Sequence, residues 1–131
     1  MMAPLKFQIT PVVLGQTQQI LDPNRIIELV AAKVGESYVW KNNEIGFNPI
    51  LNLKADTDYT FLITSFQNDT SEHELKIEPR DGGEHLLESE EIEHGSSSQF
   101  TFFTGIPQVL KYYCVYHPNS MAGIINVTHS T

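Results

Sequence analysis

Residues 112–123 of the chain read YYCVYHPNSMAG, and they contain the only cysteine among its 131 residues. His117 follows Cys114 by three positions, and Met121 follows His117 by four. Thiolate, imidazole and thioether are the soft ligands of a type 1 copper site, in which two histidines and one cysteine lie in a plane and a methionine binds weakly along the axis. Three of these four ligands would come from this one segment. The second histidine must come from elsewhere, because a trigonal site needs ligands from more than one direction.

Other interpretations of the same residues are open. A lone cysteine is most often a small buried hydrophobic residue. Met121 could likewise be an ordinary residue of the hydrophobic core. A Cys–His pair can be a nucleophile and its base, although catalytic pairs usually come from distant parts of a chain. A zinc site would favour further thiolates or histidines and no methionine. The mixed soft ligand set therefore favours copper.

The segment around Cys114 resembles the copper loop of the cupredoxins, the blue copper proteins. Its Cys-x2-His spacing is similar to that of plastocyanin and amicyanin, and its His-x3-Met-x-Gly ending is similar to that of azurin. Cupredoxins take their other histidine from an earlier strand, and residues 68–77 (NDTSEHELKI) resemble that element. The resemblance extends from about Arg25 to Val127. It implies a single type 1 copper ion bound by four residues: His73, Cys114, His117 and Met121.

Two details depart from the family pattern. The short Cys–His spacing and the longer His–Met spacing do not occur together in either parent pattern, so the axial position could instead be open or closed by water. The residue after the first histidine is commonly Asn in cupredoxins, and here it is Glu74. A carboxylate there would favour Cu(II) if it pointed inward, but strand alternation predicts that Glu74 points outward. Gly123 is expected to adopt a backbone conformation closed to other residues, beneath the metal.

The fold class follows from alternation and turn signals. Tyr59, Phe61 and Ile63 face one way along a strand while Thr60 and Thr64 face the other. Many short strands separated by turns predict an all-β sandwich, and the resemblance implies a cupredoxin-like Greek-key sandwich or barrel of about seven to nine strands. Further strands are predicted at 7–13, 25–33, 37–41, 47–54, 100–104, 109–116 and 122–127. One more strand is predicted to begin near His73, where His73, Leu75 and Ile77 share its inward face. Residues 1–24 are interpreted as an N-terminal extension or edge strand, and residues 25–131 as the cupredoxin domain.

Composition and charge limit the function. Sixteen acidic and eight basic residues give a net charge of −8, which argues against nucleic acid and anionic membrane surfaces as partners. The same charge would steer a basic partner toward the protein. No apolar run approaches the ~20 residues of a membrane span, and the first residues do not form a signal peptide. Because cupredoxins are mostly exported, we expect a periplasmic or extracellular monomer whose leader or membrane anchor is absent from this sequence.

The resemblance implies a soluble one-electron carrier rather than an enzyme. His117 would lie near the surface as the electron port, with Pro118, Met121, Phe47 and Pro49 as an apolar docking rim for transient redox partners that are basic around an apolar patch. Two alternatives remain: a copper centre with an open axial position that binds, oxidises or reduces a small molecule such as nitric oxide or nitrite, and copper storage or delivery. The acidic segment, defined as residues 84–93 (EHLLESEEIE), is expected to form a short helix or a strand. His85, His94 and His129 are expected to be exposed, and a second metal site at the first two is an open alternative.

Overall fold

A computed structural model describes residues 19–129 of the chain. The strand predicted at 7–13 lies outside these residues. Ten strands follow one another in the described part: β1 (Ile27–Val34), β2 (Ser37–Asn42), β3 (Gly46–Phe47), β4 (Leu51–Lys54), β5 (Asp58–Thr64), β6 (Leu75–Pro79), β7 (Leu87–Glu88), β8 (Ser97–Phe103), β9 (Gln108–Cys114) and β10 (His117–Thr128). The predicted all-β class is confirmed. β3 overlaps the start of the strand predicted at 47–54, and β7 lies within the acidic segment.

The strands form two five-stranded sheets that pack as a sandwich. One sheet has the order β3-β2-β1-β5-β8 and the other has the order β4-β10-β9-β6-β7. Most neighbours are antiparallel, whereas β1 pairs with β5 and β4 with β10 in parallel. These two parallel pairs join strands that are distant in the sequence, because parallel neighbours need a crossover connection. No helix among residues 19–129 is long and apolar enough to cross a membrane.

The core lies between the two sheets and follows the predicted alternation. Tyr59, Phe61 and Ile63 of β5 are fully buried, while Thr60, Leu62 and Thr64 on the other face are partly exposed. From the opposite sheet, β9 contributes Leu110, Tyr112 and Cys114 to the same hydrophobic cluster. Each strand therefore presents one apolar face inward, and the cysteine is the last inward residue of its strand.

The strand predicted at 47–54 is interrupted, and the reason is local. Asn48 has a positive φ of 43°, a conformation that asparagine tolerates better than most residues, and Pro49 follows it. Asn48 exchanges two hydrogen bonds with the backbone of Trp40, and its side-chain amide donates to Ser120 O at 2.8 Å. This residue consequently ties β2 of one sheet to β10 of the other.

The structure differs from the predicted secondary structure in two further places, β10 and the acidic segment. β10 already begins at His117 rather than at Ala122, because Val115 and Tyr116 form a tight turn and the chain re-enters the sheet immediately. In the acidic segment only Leu87–Glu88 forms a strand, and Ile92 makes an isolated bridge with His73. The division at residue 24 stays a prediction.

Candidate metal centre

Cys114 and His117 face each other across the hairpin that joins β9 to β10. They are paired residues in the antiparallel register, and the register shifts between His117 and Ala122. Two residues separated by a tight turn are direct cross-strand neighbours. The Cys-x2-His spacing therefore brings thiol and imidazole together through the hairpin alone, whatever the rest of the fold does.

His73 reaches the same place through sheet pairing. β6 pairs with β9 in a register that sets Leu75 opposite Cys114, and the Val115 N–H donates to Glu74 O at 3.0 Å. His73 lies just before β6, where its backbone exchanges two hydrogen bonds with Ile92. The histidine from the earlier part of the chain thus lies beside the end of β9.

The three donor atoms converge. The Cys114 Sγ lies 3.8 Å from Nδ1 of His73 and 3.6 Å from Nδ1 of His117, and the three ligand atoms all lie within 4.8 Å of one another. Cys114 and His73 are fully buried, and His117 is partly exposed. Ions that bind sulfur at about 2.3 Å and imidazole at about 2.0 Å fit among donors with this separation. The residues therefore fit the trigonal His2Cys arrangement that selects copper.

The outer nitrogens of both imidazoles are also occupied. Nε2 of His73 lies 2.6 Å from Oδ2 of Asp69, and Nε2 of His117 lies 3.1 Å from Oγ of Ser71. A partner on the outer nitrogen fixes the orientation and tautomer of a ligating imidazole. Both rings are consequently held with Nδ1 directed at the Cys114 sulfur.

Aromatic rings enclose the two imidazoles. The Tyr38 ring lies 4.6 Å from the His117 ring and 5.0 Å from the His73 ring, centroid to centroid. The ring of Trp40, the chain's single tryptophan, is fully buried 6.1 Å from His73. These contacts exclude water from one side of the site and place an intrinsic fluorophore next to it.

Comparison with known proteins gives a likeness in structure without one in sequence. No protein-family model matches the chain, and no curated protein sequence matches it. Auracyanin A, a blue copper protein from Chloroflexus aurantiacus, superposes with a TM-score of 0.59 at 16% identity over 79% of this chain and 98% of its own. Reduced rusticyanin gives 0.59 at 14% identity over 89% of this chain and 95% of its own. The protein has the cupredoxin fold.

A third cupredoxin-like match comes from a larger protein. Copper nitrite reductase from Nitrosomonas europaea superposes with a TM-score of 0.60 at 19% identity, over 81% of this chain but only 42% of its own. All three identities are low, so the matches establish the fold, while the site is established by its own geometry. Within the cupredoxin fold, the His2Cys group occupies the end of the sandwich where β9 stops.

The electrostatics of the thiol combine opposing effects. Burial raises the pKa of the Cys114 thiol above its ordinary value, and backbone hydrogen bonds at Glu74, Tyr116 and His117 offset this only in part. Burial and the neighbouring His73 lower the pKa of His117, which favours its neutral form. A neutral imidazole and a sulfur surrounded by backbone donors are both prepared for metal binding, which displaces the thiol proton.

Glu74 does not point into solvent as alternation predicts. It is only 9% exposed, and a hydrogen bond with Glu88, followed by burial and the charges of Glu88 and Glu91, raises its pKa to about 7. The acidic segment lies alongside β6 in the same sheet, through β7 and the bridge between Ile92 and His73, and this brings the Glu88 carboxyl to Glu74. The prediction of an exposed Glu74 was therefore wrong, and its carboxyl partner is Glu88.

Gly123 also differs from its prediction. Its φ is not in the left-handed region. A Cβ built on Gly123 would lie 2.6 Å from Cε2 of Tyr112 and still closer to the Cζ and hydroxyl of that ring. Tyr112 is paired with Gly123 across β9 and β10 and donates from its hydroxyl to Pro49 O at 2.6 Å. Glycine is needed here because a tyrosine ring lies against the strand.

The remaining predicted residues are placed as follows. Met121 is fully buried in the core cluster that includes Cys114, and its axial ligation stays a prediction. Met121 and Pro49 are buried, so neither forms an exposed docking rim, whereas Phe47 and Pro118 are exposed. His85, His94 and His129 are exposed. Nε2 of His85 lies 3.6 Å from Oε1 of Glu88, and Nε2 of His94 lies 3.8 Å from Oε1 of Glu93. Sequence reasoning missed Asp69 and Ser71, whose only signal was the polar turn before His73, and it missed Tyr38, which comes from the distant strand β2.

Proposed function

We propose that the protein is a type 1 copper protein that carries single electrons between redox partners. The observation that supports this most directly is the convergence of the two Nδ1 atoms and the Cys114 sulfur at 3.6–3.8 Å. Bound copper would supply a one-electron couple. The chain's contribution is to hold both imidazoles by hydrogen bonds before and after electron transfer, so that little needs to rearrange, and to surround the thiolate with backbone donors and apolar side chains that tune the potential.

The path to the partner follows from exposure. His73 and Cys114 are fully buried, so His117 is the ligand that reaches the surface. Val115 and Tyr116, the two turn residues before it, are exposed, and so is Pro118. These residues form an apolar face around His117, and we propose that partners dock there. An exported location, implied by the resemblance, is part of the same proposal.

The site can be tested without knowing the partner. Adding one equivalent of Cu(II) to the metal-free protein should give an intense visible thiolate-to-copper band and should quench the fluorescence of Trp40. Cys114→Ser should abolish the band while leaving the metal-free fold intact, because serine is smaller and similar in shape. His85→Ala is the matched control, since it removes an exposed histidine that contacts only Glu88. A colourless copper-loaded protein, or an unchanged band in Cys114→Ser, would contradict the proposal.

We further propose that the partner is basic around its apolar contact. The acidic segment is held beside the site by the two hydrogen bonds between His73 and Ile92, so its exposed carboxylates border the docking face. Salt screens such charges within about 8–10 Å at ordinary ionic strength, and charges at the rim act mainly on the association rate. The electron-transfer rate with a cationic ruthenium ammine complex should therefore fall as salt rises, and the rate with ferricyanide should rise.

A charge variant separates local steering from total charge. Glu90→Lys changes a charge within the acidic segment. Asp58→Lys makes the same change in charge at the first residue of β5, where Asp58 pairs with Phe103 at the end of the sandwich opposite the site. Glu90→Lys should flatten the salt dependence clearly more than Asp58→Lys does. Equal effects of both variants would show that only net charge matters.

The alternative function is reaction with a small molecule at an open axial position. One structural match is a copper nitrite reductase, which makes the test worthwhile. His73, Cys114 and Met121 are fully buried, and this arrangement favours the electron carrier because a ligand would need a path through packed side chains. Adding nitrite or nitric oxide to the copper-loaded protein should leave its visible spectrum unchanged. A shift that saturates with ligand concentration would favour the alternative.

A further inference from the structure

We propose that Asp69 is the positioning residue of this site: it presets the imidazoles of His73 and His117 for the metal and makes the copper harder to reduce. The part about copper rests on the proposed function, whereas the part about the imidazoles concerns the metal-free chain. The sequence directs attention to Glu74 as the carboxylate near the site. The carboxylate that contacts the side chain of a metal ligand is that of Asp69, which lies against His73.

Asp69 is surrounded by hydrogen-bond donors. Its side chain and that of His73 are both fully buried, with Oδ2 2.6 Å from Nε2. Its Oδ1 accepts the Ser71 N–H at 2.9 Å and the Tyr38 hydroxyl at 3.2 Å. Oδ1 already accepts two hydrogen bonds, and a carboxylate whose Oδ2 also accepts would satisfy all three contacts. In the proposed arrangement the hydrogen on His73 lies on Nε2, and the lone pair on Nδ1 points to Cys114.

The same aspartate reaches His117 through the turn that it forms. The contact from Oδ1 to the Ser71 N–H is an Asx turn, and the Ser71 hydroxyl lies 3.1 Å from Nε2 of His117. The backbone of Asp69 is itself fixed, since its N–H donates to Phe66 O at 3.0 Å and its carbonyl accepts the His94 N–H at 3.2 Å. Two residues of one turn, Asp69 and Ser71, thus hold the outer nitrogens of both imidazoles.

The charge of Asp69 should act on the metal as well as on the rings. A carboxylate buried away from water is stabilised by a positive neighbour, and it favours the more highly charged Cu(II) over Cu(I). Loss of an outer partner of a ligating histidine typically weakens metal binding about 10- to 100-fold. For a one-electron couple, each tenfold change in the ratio of Cu(II) to Cu(I) affinity corresponds to about 59 mV.

The first test uses the metal-free protein. Nitrogen-15 chemical shifts of the His73 ring should show a single tautomer with hydrogen on Nε2. A ring with hydrogen on Nδ1, or an equal mixture of tautomers, would overturn the positioning role. This readout does not depend on whether the protein binds copper, so it separates failure of this inference from failure of the proposed function.

The second test measures the reduction potential of copper-loaded variants. Asp69→Asn should weaken Cu(II) binding relative to Cu(I) by about tenfold or more and raise the potential accordingly. Glu72→Gln is the matched control, because it removes the same charge from an exposed side chain next to His73 in the sequence. A shift in Asp69→Asn no larger than that in Glu72→Gln would overturn the electrostatic role.

A third variant keeps the proposal testable if Asp69→Asn does not fold. Tyr38→Phe removes one donor from the same carboxylate and retains the ring that packs on both imidazoles. With one donor fewer, the Asp69 charge is less neutralised and should favour Cu(II) more strongly. The potential of Tyr38→Phe should therefore fall, in the direction opposite to Asp69→Asn, and a rise would contradict the proposal.

Discussion

The contact between Tyr112 and Gly123 gives a prediction whose size follows from the structure. These residues pair across β9 and β10, two residues before Cys114 and two after Met121. In Gly123→Ala the new methyl group would overlap the Tyr112 ring, and the ring would have to move. Because the Tyr112 hydroxyl donates to the buried Pro49 carbonyl at 2.6 Å, that movement would also break a hydrogen bond.

The expected cost combines three effects. Overpacking costs about 1–3 kcal/mol, and leaving the Pro49 carbonyl without its donor costs about 1–3 kcal/mol. The reduced freedom of alanine in the unfolded chain offsets about 0.4–1 kcal/mol. We therefore expect Gly123→Ala to lower the free energy of unfolding by about 1–6 kcal/mol.

Urea unfolding of the metal-free protein, followed by Trp40 fluorescence, measures this change. A lower midpoint with an unchanged m-value would identify a loss of stability. Tyr112→Phe provides the control, because it removes the hydroxyl but keeps the ring. In that background Gly123→Ala should cost less by about 1–2 kcal/mol, since the hydrogen bond is already lost. A Gly123→Ala protein within about 0.5 kcal/mol of wild type, or fully additive variants, would refute the reasoning.

Three further predictions concern the site and its support. Met121→Leu, a substitution of similar volume, should shift both the visible spectrum and the potential of the copper-loaded protein if the thioether is an axial ligand; an unchanged spectrum would leave Met121 as core packing. Asn48→Ala should lower the free energy of unfolding by about 2–4 kcal/mol, because it removes side-chain hydrogen bonds to Trp40 and Ser120 and places alanine at a positive φ. Urea unfolding measures this loss, and a smaller loss would contradict the prediction. Removing copper with a chelator should restore Trp40 fluorescence and keep the near-ultraviolet circular dichroism, because protein contacts alone hold both imidazoles; loss of that signal would show that the metal organises the fold.

The sequence alone determined the features that depend on neighbours along the chain. Alternation identified β5 and its inward residues, because side chains in a strand change face at every position. The spacing of Cys114 and His117 placed both donors at one tight hairpin, whose two strands must bring them together. The soft ligand set then selected copper on chemical grounds. None of these inferences requires knowledge of how distant segments pack.

Tertiary structure decided everything that depends on contacts between distant segments. Alternation gave the face of His73, but only the pairing of Leu75 with Cys114 brought it to the sulfur. The same alternation failed for Glu74, because the acidic segment lies alongside β6 and supplies Glu88 as a partner for its carboxyl group. Gly123 was correctly singled out for the wrong reason, since a ring from the neighbouring strand and not its own φ demands glycine. Asp69 gave no signal that set it apart from other turn residues, because hydrogen bonds to an imidazole four residues away and to Tyr38 exist only once the loop and β2 have packed together.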